Sequence, residues 1–589
     1  MSQSQSSISN QAPATNDQAD AGLPMSPKWD PEKLAIETQQ LHDLKTAPFG
    51  TKVCGYVKRT GPGLLQSAMT LGAGSATASV LAGASFGYKL LWVQPIAVFL
   101  GVVMFAALSN IVLTSGERPY KAFGRETSRF LVLLWALGTI FASIIWHFPQ
   151  YTLLAGAGRD LASLAGANVL NNGNIPDWVT SINASLPFGI HINDKISNLG
   201  YLVSIATGLL ILAVNVTVVF NYGKGAAGVK IYERFLKIMI ALVICFFLLV
   251  VCINFSKINW VELYRGYTGY YGLPKNAQGV IETSTYLQVL GMLGASVGIN
   301  MTFLYPYSLL AKGWGKEHRT LAKWDLVMTM LIPFVVVTSL IMLAMVVTGV
   351  YNPDMEGVRT GMVPLQAAES FKDIPFGKPI FCFGLMGMCC CAISAHMVAC
   401  GFTWCEMLGI KMTTARFRLF AMTPAIGLLG VVVPLPLWFP VIASAICSIL
   451  LPIAYLLFLI LNNKRSFIGD AVGHGFIRFI NNILMLIAVL VVTGCAILSC
   501  YKLYGKFFAP AEPATQSQVD KKDAPKAADR LPAAVDARDD ITPEAKPATT
   551  EKKADVKPEA KPAATEKKAD AKPEAKPAAT EKKADAPKK

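Results

Sequence analysis

The sequence predicts an all-α polytopic membrane protein with eleven transmembrane helices, and three observations support this fold class. Apolar runs of roughly twenty residues, the length that crosses a bilayer, recur along the chain. The composition is 53% hydrophobic and only 15% charged, whereas soluble domains contain about a quarter charged residues. Lysine and arginine gather in the loops between the apolar runs, as the orientation signals of membrane helices do. The eleven predicted spans cover residues 62–84, 90–115, 129–156, 199–221, 233–255, 285–311, 324–350, 379–408, 417–436, 438–462 and 476–503.

The basic residues also predict the orientation of the chain. They cluster in the even-numbered loops and before the first span, where Lys52, Lys58 and Arg59 lie. The positive-inside rule therefore predicts a cytoplasmic N-terminus and, after eleven spans, a C-terminal tail outside an inner or plasma membrane. The formal net charge of +15 does not indicate nucleic-acid binding, because the basic residues form no patch interleaved with aromatic residues on a soluble segment. The lipid bilayer is the expected surrounding.

The two ends of the chain differ from this apolar part. Residues 1–50 are predicted to form a cytoplasmic segment whose polar first residues are disordered and lack the features of a cleavable signal peptide. Asp30 to about Lys45 predicts a short helix, and its modest apolar side favours a plain cytoplasmic helix over a regulatory or membrane-lying one. Residues 507–589 contain a fifteen-residue repeat, KPAATEKKADAKPEA at 561–575, which predicts an extended, solvated tail rather than a partner-binding segment.

Two of the apolar stretches, 61–93 and 291–312, are interrupted at their middle by glycine and small polar residues. Backbone freed by such a break is tolerated at membrane depth only where protein or a water-lined cavity satisfies it. Two breaks at matching positions of two halves point to the substrate site of an inverted-repeat transporter. The alternative is that the small residues only allow helices to pack closely. A second break at the matching position of the other half makes this alternative less favoured. The predicted substrate-binding residues are Gly72, Ala73, Gly74, Ser75, Thr77, Ala295, Gly298, Asn300 and Met301.

Few ionisable groups lie inside the predicted spans, and such groups are functional candidates by default. His147 and His396 are candidate proton carriers or metal ligands, with a neutral, hydrogen-bonded histidine as the equal alternative. Asp325 and Glu406 lie near span ends, where a gating salt bridge and a solvated terminus are equally plausible. The consecutive cysteines 389–391 point in different directions on a helix, which favours core packing over chelation. No nucleophile constellation, nucleotide loop or metal-protease motif is recognisable, so we expect neither an enzyme nor a cofactor.

The run from Gly61-Pro62 through Gly87-Tyr88-Lys89-Leu90-Leu91-Trp92-Val93 resembles the start of the natural resistance-associated macrophage protein (NRAMP) family of proton-coupled divalent-metal transporters. The resemblance extends over about residues 60–505, and Lys464-Arg465 through Gly469-Asp470 is again similar to the family. It implies the amino-acid/polyamine/organocation transporter type of fold, with inverted five-helix repeats and discontinuous helices one and six. The transporter domain would be 51–506, comprising repeat one at about 60–256, repeat two at about 285–462 and an extra span at 476–503.

Departures from the family's motifs bear on the substrate. The first-helix motif Asp-Pro-Gly-Asn aligns with Gly72-Ala73-Gly74-Ser75, and the sixth-helix motif Met-Pro-His-Asn aligns with Gly298-Ile299-Asn300-Met301. The acidic positions of the family's proton pathway match His147 and Gln150, so the expected proton pathway comprises His147, Gln150 and His396. What remains is a neutral site, in which a dication would keep part of its hydration shell. The metal ligands are therefore left unassigned.

The leading functional hypothesis is a secondary transporter of a divalent metal cation that works by alternating access, with proton coupling as a further expectation. The first alternative is a transporter of a small organic or zwitterionic solute, because glycine-rich breaks without acidic residues also resemble those of amino-acid permeases. The second alternative is a transport-inactive membrane sensor or scaffold. It predicts that deletion of 507–589 abolishes function, whereas substitution of Gly74 does not.

Overall fold

The computed structural model describes residues 31–170, 175–185, 195–222, 224, 226–275, 279–281, 283–352, 368, 371, 376–432 and 438–507. Over these residues the chain is helical, and its one β-bridge joins Leu170 and Ile196. The disorder predicted for the first residues and the tail from residue 508 fall outside the described residues. The all-α expectation is confirmed.

Two helices precede the apolar part. Helix α1 (Pro31–Thr46) covers the stretch for which the sequence predicts a short helix, and α2 (Phe49–Arg59) follows it after two residues. Leu44 of α1 lies so close to Gly55 of α2 that a Cβ added at Gly55 would stand 2.3 Å from Leu44 Cδ2. The two helices therefore form a tight hairpin, which we call the N-terminal hairpin (31–59).

The first predicted span is broken in two. Helix α3 (Pro62–Thr70) ends at Leu71, and α4 (Ala73–Phe86) begins after Gly72, whose backbone is extended at φ −130° and ψ −167°. The second predicted span is one continuous helix, α5 (Val93–Ser115). All nine residues of α3 are buried.

The next helices extend to the end of the first half of the bundle. They are α6 (Pro119–Glu126), α7 (Arg129–Leu164), α8 (Asp177–Ser185), α9 (Asn198–Tyr222), α10 (Ala226–Ile253) and α11 (Trp260–Tyr267). Helix α7 is 36 residues long and contains Pro149 in its interior.

The sixth predicted span is broken like the first. Helix α12 (Thr283–Ser296) is separated by Val297 and Gly298 from α13 (Ile299–Ala311). Beyond it, α14 (Arg319–Leu326) continues through a π-helical turn, Val327–Leu331, into α15 (Ile332–Val347). The two half-helix breaks inferred from the glycine pattern are therefore present at the expected places.

The last helices are α16 (Gly377–Met407), α17 (Thr414–Ala421), α18 (Trp438–Asn462), α19 (Arg465–Ile468) and α20 (Gly475–Phe507). Between α17 and α18 the chain forms a 3₁₀ segment, Thr423–Val431, in place of the transmembrane helix predicted at 417–436. Its glycines pack directly on α7: a Cβ at Gly427 would stand 2.4 Å from His147 Cβ, and one at Gly430 would stand 2.5 Å from the Phe148 carbonyl. Glycine and Pro424 disfavour an α-helix here. The segment approaches α7 closely because Gly427 and Gly430 have no side chains.

The predicted count of eleven spans is not confirmed. In the described part of the chain, eight helices are long and apolar enough to cross a membrane, or nine if the bent pair Ile449–Asn462 and Arg465–Val472 is one span. The difference arises partly because α3 and α4 are each too short to cross alone and partly because, within the predicted span 417–436, the α-helix ends at Ala421 and Thr423–Val431 is a 3₁₀ segment. The arrangement as inverted repeats stays a prediction.

Candidate functional site

The two breaks lie against one cavity of about 30 Å³. Its walls come from the α3–α4 break, the middle of α7, the α12–α13 break and the middle of α16. The lining residues are Met69, Thr70, Gly72, Gly74, Ser75, Trp146, Gln150, Gly294, Ala295, Gly298, Asn300, Met301 and His396.

At the first break, the amide of Gln150 holds the freed backbone. The N–H of Ala73, the first residue of α4, donates to Gln150 Oε1 at 2.8 Å. The hydroxyl of Ser75 turns back to the break and donates to the Gly72 carbonyl at 3.1 Å. A Cβ at Gly72 would stand 2.7 Å from Gln150 Nε2 and 2.9 Å from Ala392 Cβ. Glycine is therefore required for α7 and α16 to close around the break.

At the second break, residues of α13 satisfy the backbone locally. The N–H of Met301 donates to the Gly298 carbonyl at 3.1 Å and to Asn300 Oδ1 at 3.0 Å. The N–H of Gly298 points at the thioether sulfur of Met301, 3.3 Å away. A Cβ at Gly298 would stand 2.5 Å from Asn300 Oδ1, so a side chain here would displace the Asn300 amide.

Asn300 connects the second break to His396 on α16. Because its Oδ1 accepts the Met301 N–H, its Nδ2 faces His396 Nδ1 at 2.9 Å and Ser143 Oγ at 3.4 Å. An amide nitrogen only donates, so His396 Nδ1 is the acceptor and the neutral ring carries its proton on Nε2. His396 thus presents an N–H donor beside the cavity.

His147 lies behind His396, with the two ring centroids 5.5 Å apart. Its Nδ1 is 3.2 Å from the Ser143 carbonyl, which only accepts, so Nδ1 carries the proton. Its Nε2 is then an unprotonated acceptor, and it has no hydrogen-bond partner among the described residues. His147 is fully buried and does not line the cavity.

Comparison with known proteins identifies the family. The family model described as natural resistance-associated macrophage protein-like matches residues 195–502, more than half of the chain. The chain belongs to this family. Among curated proteins, no match was found.

Solved structures similar to this NRAMP-family chain include several of the Eremococcus coleocola manganese transporter. Its complex with an aromatic bis-isothiourea substituted compound is 14% identical, has a TM-score of 0.54, and the match covers 81% of this chain and 92% of that one. A mutant of the same transporter is 16% identical with a TM-score of 0.56 over the same shares. At these identities the likeness shows the fold. The NRAMP family consists of membrane transporters, so the chain is an integral membrane protein with a transport function.

The structure brings most of the predicted site residues together. Nine of them line the cavity: Gly72, Gly74, Ser75, Gln150, Ala295, Gly298, Asn300, Met301 and His396. Ala73 is buried beside it and contacts Gln150 through its N–H. Thr77 and His147 do not line the cavity. Sequence reasoning missed four lining residues, all of them close in the chain to a predicted one: Met69, Thr70, Trp146 and Gly294.

The electrostatics of this NRAMP-family site come from helix ends rather than from charged side chains. No Asp or Glu is among the cavity-lining residues, and the described residues contain no group of three or more His, Cys, Asp or Glu that would hold a metal ion. Helices α3 and α12 end at the cavity, and α4 and α13 begin there. Partial negative charge from two C-termini and partial positive charge from two N-termini therefore meet in one small space.

Charged residues hold the start of α3, at the end of the bundle remote from the breaks. Both carboxylate oxygens of Asp325 are used, because they accept the N–H of Gly61 at 2.9 Å and of Gly63 at 2.6 Å. Lys312 Nζ donates to Glu233 at 2.8 Å and to the Thr60 carbonyl at 3.1 Å. We call Glu233, Lys312 and Asp325 the α3 clamp.

Glu406 is also buried rather than solvated. Its carboxylate pairs with Arg118 at 3.1 Å, and its side chain is 2% exposed. Of the two explanations left open for Asp325 and Glu406, the solvated terminus is therefore excluded for both. Both carboxylates instead bind partners at the starts of other helices, Glu406 at the start of α6 and Asp325 at the start of α3.

Proposed function

We propose that the protein is a secondary active transporter that moves a divalent metal cation by alternating access around the cavity between the two breaks. The observation that carries this proposal is the meeting of two half-helix breaks at one cavity in a chain of the NRAMP family. The substrate named for the structural neighbours, manganese, is consistent with it. A 30 Å³ cavity admits only a small species in this conformation, since a bound water needs about 10–15 Å³ by the same kind of measure.

A neutral site handles a dication through dipoles and retained water. The ends of α3 and α12 supply carbonyl oxygens and about half a negative charge each. Met301 offers a thioether and Thr70 and Ser75 offer hydroxyls at the cavity wall. Because no carboxylate offsets the cost of desolvation, the metal keeps part of its hydration shell, which Mg²⁺ does readily.

Proton coupling is the second part of the proposal. The unprotonated Nε2 of His147 is a buried base without a hydrogen-bond partner among the described residues, and the His396 ring, 5.5 Å from the His147 ring, lines the cavity. Protonation at His147 places a positive charge behind the substrate site, which disfavours a cation there by Coulomb repulsion. A proton and a metal ion would therefore influence each other's binding.

For the orientation, we propose an inner or plasma membrane with the N-terminus in the cytoplasm and the C-terminal tail outside. The distribution of Lys and Arg between the loops supports this orientation. Under it, the α3 clamp lies at the cytoplasmic end of the bundle.

A second candidate function is transport of a small zwitterionic solute. It is favoured by the positive side of the cavity, where the N-termini of α4 and α13 contribute partial positive charge and His396 contributes an N–H donor, with no acidic residue in the cavity lining. Such donors bind a carboxylate well. A metal ion makes no use of them.

The experiment that separates these functions is uptake by the purified protein in liposomes. Mn²⁺, Fe²⁺, Mg²⁺ and a labelled amino-acid mixture are each tested with and without an inward proton gradient, against protein-free liposomes. Saturable metal uptake that the gradient stimulates is the expected result. Amino-acid uptake without metal flux would support the second candidate instead, and flux of neither would overturn both.

A further inference from the structure

The N-terminal hairpin is docked on the bundle, beside the α3 clamp. Tyr56 of α2 is 1% exposed and stacks on Trp324 of α14, with ring centroids 5.4 Å apart and an interplanar angle of 19°. On α1, Glu37 Oε1 lies 3.6 Å from Nε2 of His318, directly before α14. The hairpin itself is held by Arg59, which donates to Gln40 Oε1 at 2.7 Å.

The hairpin is also joined to α3 by a very short connection. Only Thr60 and Gly61 separate α2 from α3. The Thr60 carbonyl is bound by Lys312, and a Cβ at Gly61 would stand 2.1 Å from both Glu233 Oε1 and Lys312 Nζ. A tilt of α3 away from the clamp therefore has to move α2, and a move of α2 breaks the contact between Tyr56 and Trp324.

We propose that the N-terminal hairpin is a clasp that holds the N-terminal end of α3 against the bundle, so that release of the Tyr56–Trp324 contact is part of opening the substrate path at the end of the bundle where the α3 clamp lies. The inference rests on the proposed alternating access, because it assigns the moving element to α3. Under this proposal the helix at residues 31–46, which the sequence favours as a plain cytoplasmic helix, has a regulatory role. The docked hairpin shifts the equilibrium toward the closed state. The size of this shift equals the difference in the free energy of the hairpin's contacts between the closed and the open state.

Reaction of a buried thiol reports the opening of α3. Ser67 lies one turn before the first break, is fully buried, and its hydroxyl has no partner among the described residues, so Ser67→Cys is a small change. Reaction of this cysteine with a maleimide is followed in nanodiscs by mass spectrometry of its peptide, which separates it from the exposed Cys54. We expect Tyr56→Ala and Trp324→Ala each to raise the labelling rate about 2- to 10-fold, the range expected for loss of one aromatic pair.

Three variants test whether the stack itself is responsible. Tyr56→Phe keeps the ring and should label at the parent rate, as should Val57→Ala, which truncates the neighbouring, 42% exposed side chain. The double variant Tyr56→Ala, Trp324→Ala should label no faster than Trp324→Ala, because Trp324→Ala already removes the stack on Tyr56 together with the wider ring contact to Phe49, 6.4 Å between centroids. Unchanged labelling in both alanine variants, with an unchanged melting temperature, would overturn the clasp.

The same variants distinguish failure of the clasp from failure of the proposed function. If no metal or amino acid is transported but labelling responds to the stack, the clasp stands and the transport proposal falls. If metal uptake is measured and labelling does not respond, the clasp falls and the transport proposal stands.

Discussion

Small residues at the breaks do more than unwind a helix, and Gly74 illustrates this. A Cβ at Gly74 would stand 3.0 Å from the ring of Trp146 and 3.8 Å from Ala295 Cβ. The Gly74 position therefore sets how closely α4 approaches both α7 and the second break. Because Gly74 has no side chain, the space between Trp146 and Ala295 stays open as part of the cavity.

We predict that Gly74→Leu abolishes transport while the protein still inserts and folds. The leucine side chain fills the cavity against Trp146 without removing a membrane helix. Uptake in liposomes and monodispersity in size-exclusion chromatography are the measurements. Gly494→Leu is the matched control, because a side chain at Gly494 meets nothing within 4 Å. Wild-type uptake by Gly74→Leu would place the substrate site elsewhere.

At the residue scale, the glycine pattern predicts where the breaks lie but not what satisfies them. The partner of Ala73 is Gln150, 77 positions later, and the partner of Asn300 is His396, 96 positions later. No local periodicity encodes such pairs, since they depend on how α7 and α16 pack. The resemblance assigns Gln150 to a proton pathway, which stays a prediction, and the structure adds that its amide holds the first break and lines the cavity. His147 and His396 are both histidines inside predicted spans, and the sequence gives no reason to separate them, yet only His396 lines the cavity.

The backbone N–H groups at the N-terminus of α3 are hydrogen-bonded by a side chain from another helix. The first N–H groups of a helix lack intrahelical partners, and here Asp325 of α14 accepts two of them. Lys312, directly after α13, adds a second connection, because it binds both Glu233 of α10 and the carbonyl of Thr60 in the two-residue link before α3. The position of α3 is therefore set by three other helices at once.

We predict that Lys312→Met destabilises the protein by about 2–4 kcal/mol, because it leaves the nearly buried Glu233 carboxylate without its partner. The double variant Glu233→Gln, Lys312→Met should be more stable than Lys312→Met, since the unpaired charge is gone. Apparent melting temperatures in detergent test this order. The exposed pair of Arg465 and Asp470 provides the control, and Arg465→Met should change the melting temperature little. A double variant no more stable than the single one would contradict the prediction.

The N-terminal hairpin should loosen in acid. The pKa of Glu37 is lowered, chiefly by its ionic contact with His318, whose Nε2 lies 3.6 Å away, and further by the charges of Arg59 and Lys312, against an opposing effect of burial. Because the folded-state pKa lies below the unfolded value of 4.5, this contact stabilises the docked hairpin above that pH and is lost as pH falls through the folded pKa. Hydrogen exchange of the α1 amides, corrected for intrinsic rates, should show protection falling below about pH 4.5. Glu37→Gln should show no such fall, and equal pH profiles would refute the role of Glu37.

At the scale of the whole molecule, hydropathy predicts the fold class better than the number of spans. An apolar run shows that a segment avoids water and leaves open whether it is an α-helix. The stretch at 417–436 is apolar, yet its Pro424, Gly427 and Gly430 give a 3₁₀ segment packed on α7. The glycine-interrupted runs, by contrast, carry their own signal, and both breaks were predicted at the right residues.

The length of α7 has a mechanical consequence. Its 36 residues measure about 54 Å at 1.5 Å per residue, against a hydrocarbon core of roughly 30 Å. Even at a tilt of 40°, the upper end of the usual range, it spans about 41 Å along the membrane normal, so it reaches into the headgroups. A membrane helix longer than the hydrocarbon core is accommodated by tilting, by kinking or by local thickening of the bilayer. This helix carries Trp146 and Gln150 to the first break, so we expect the contact between the Gln150 amide and Ala73 to respond to the lipid chain length of the surrounding bilayer.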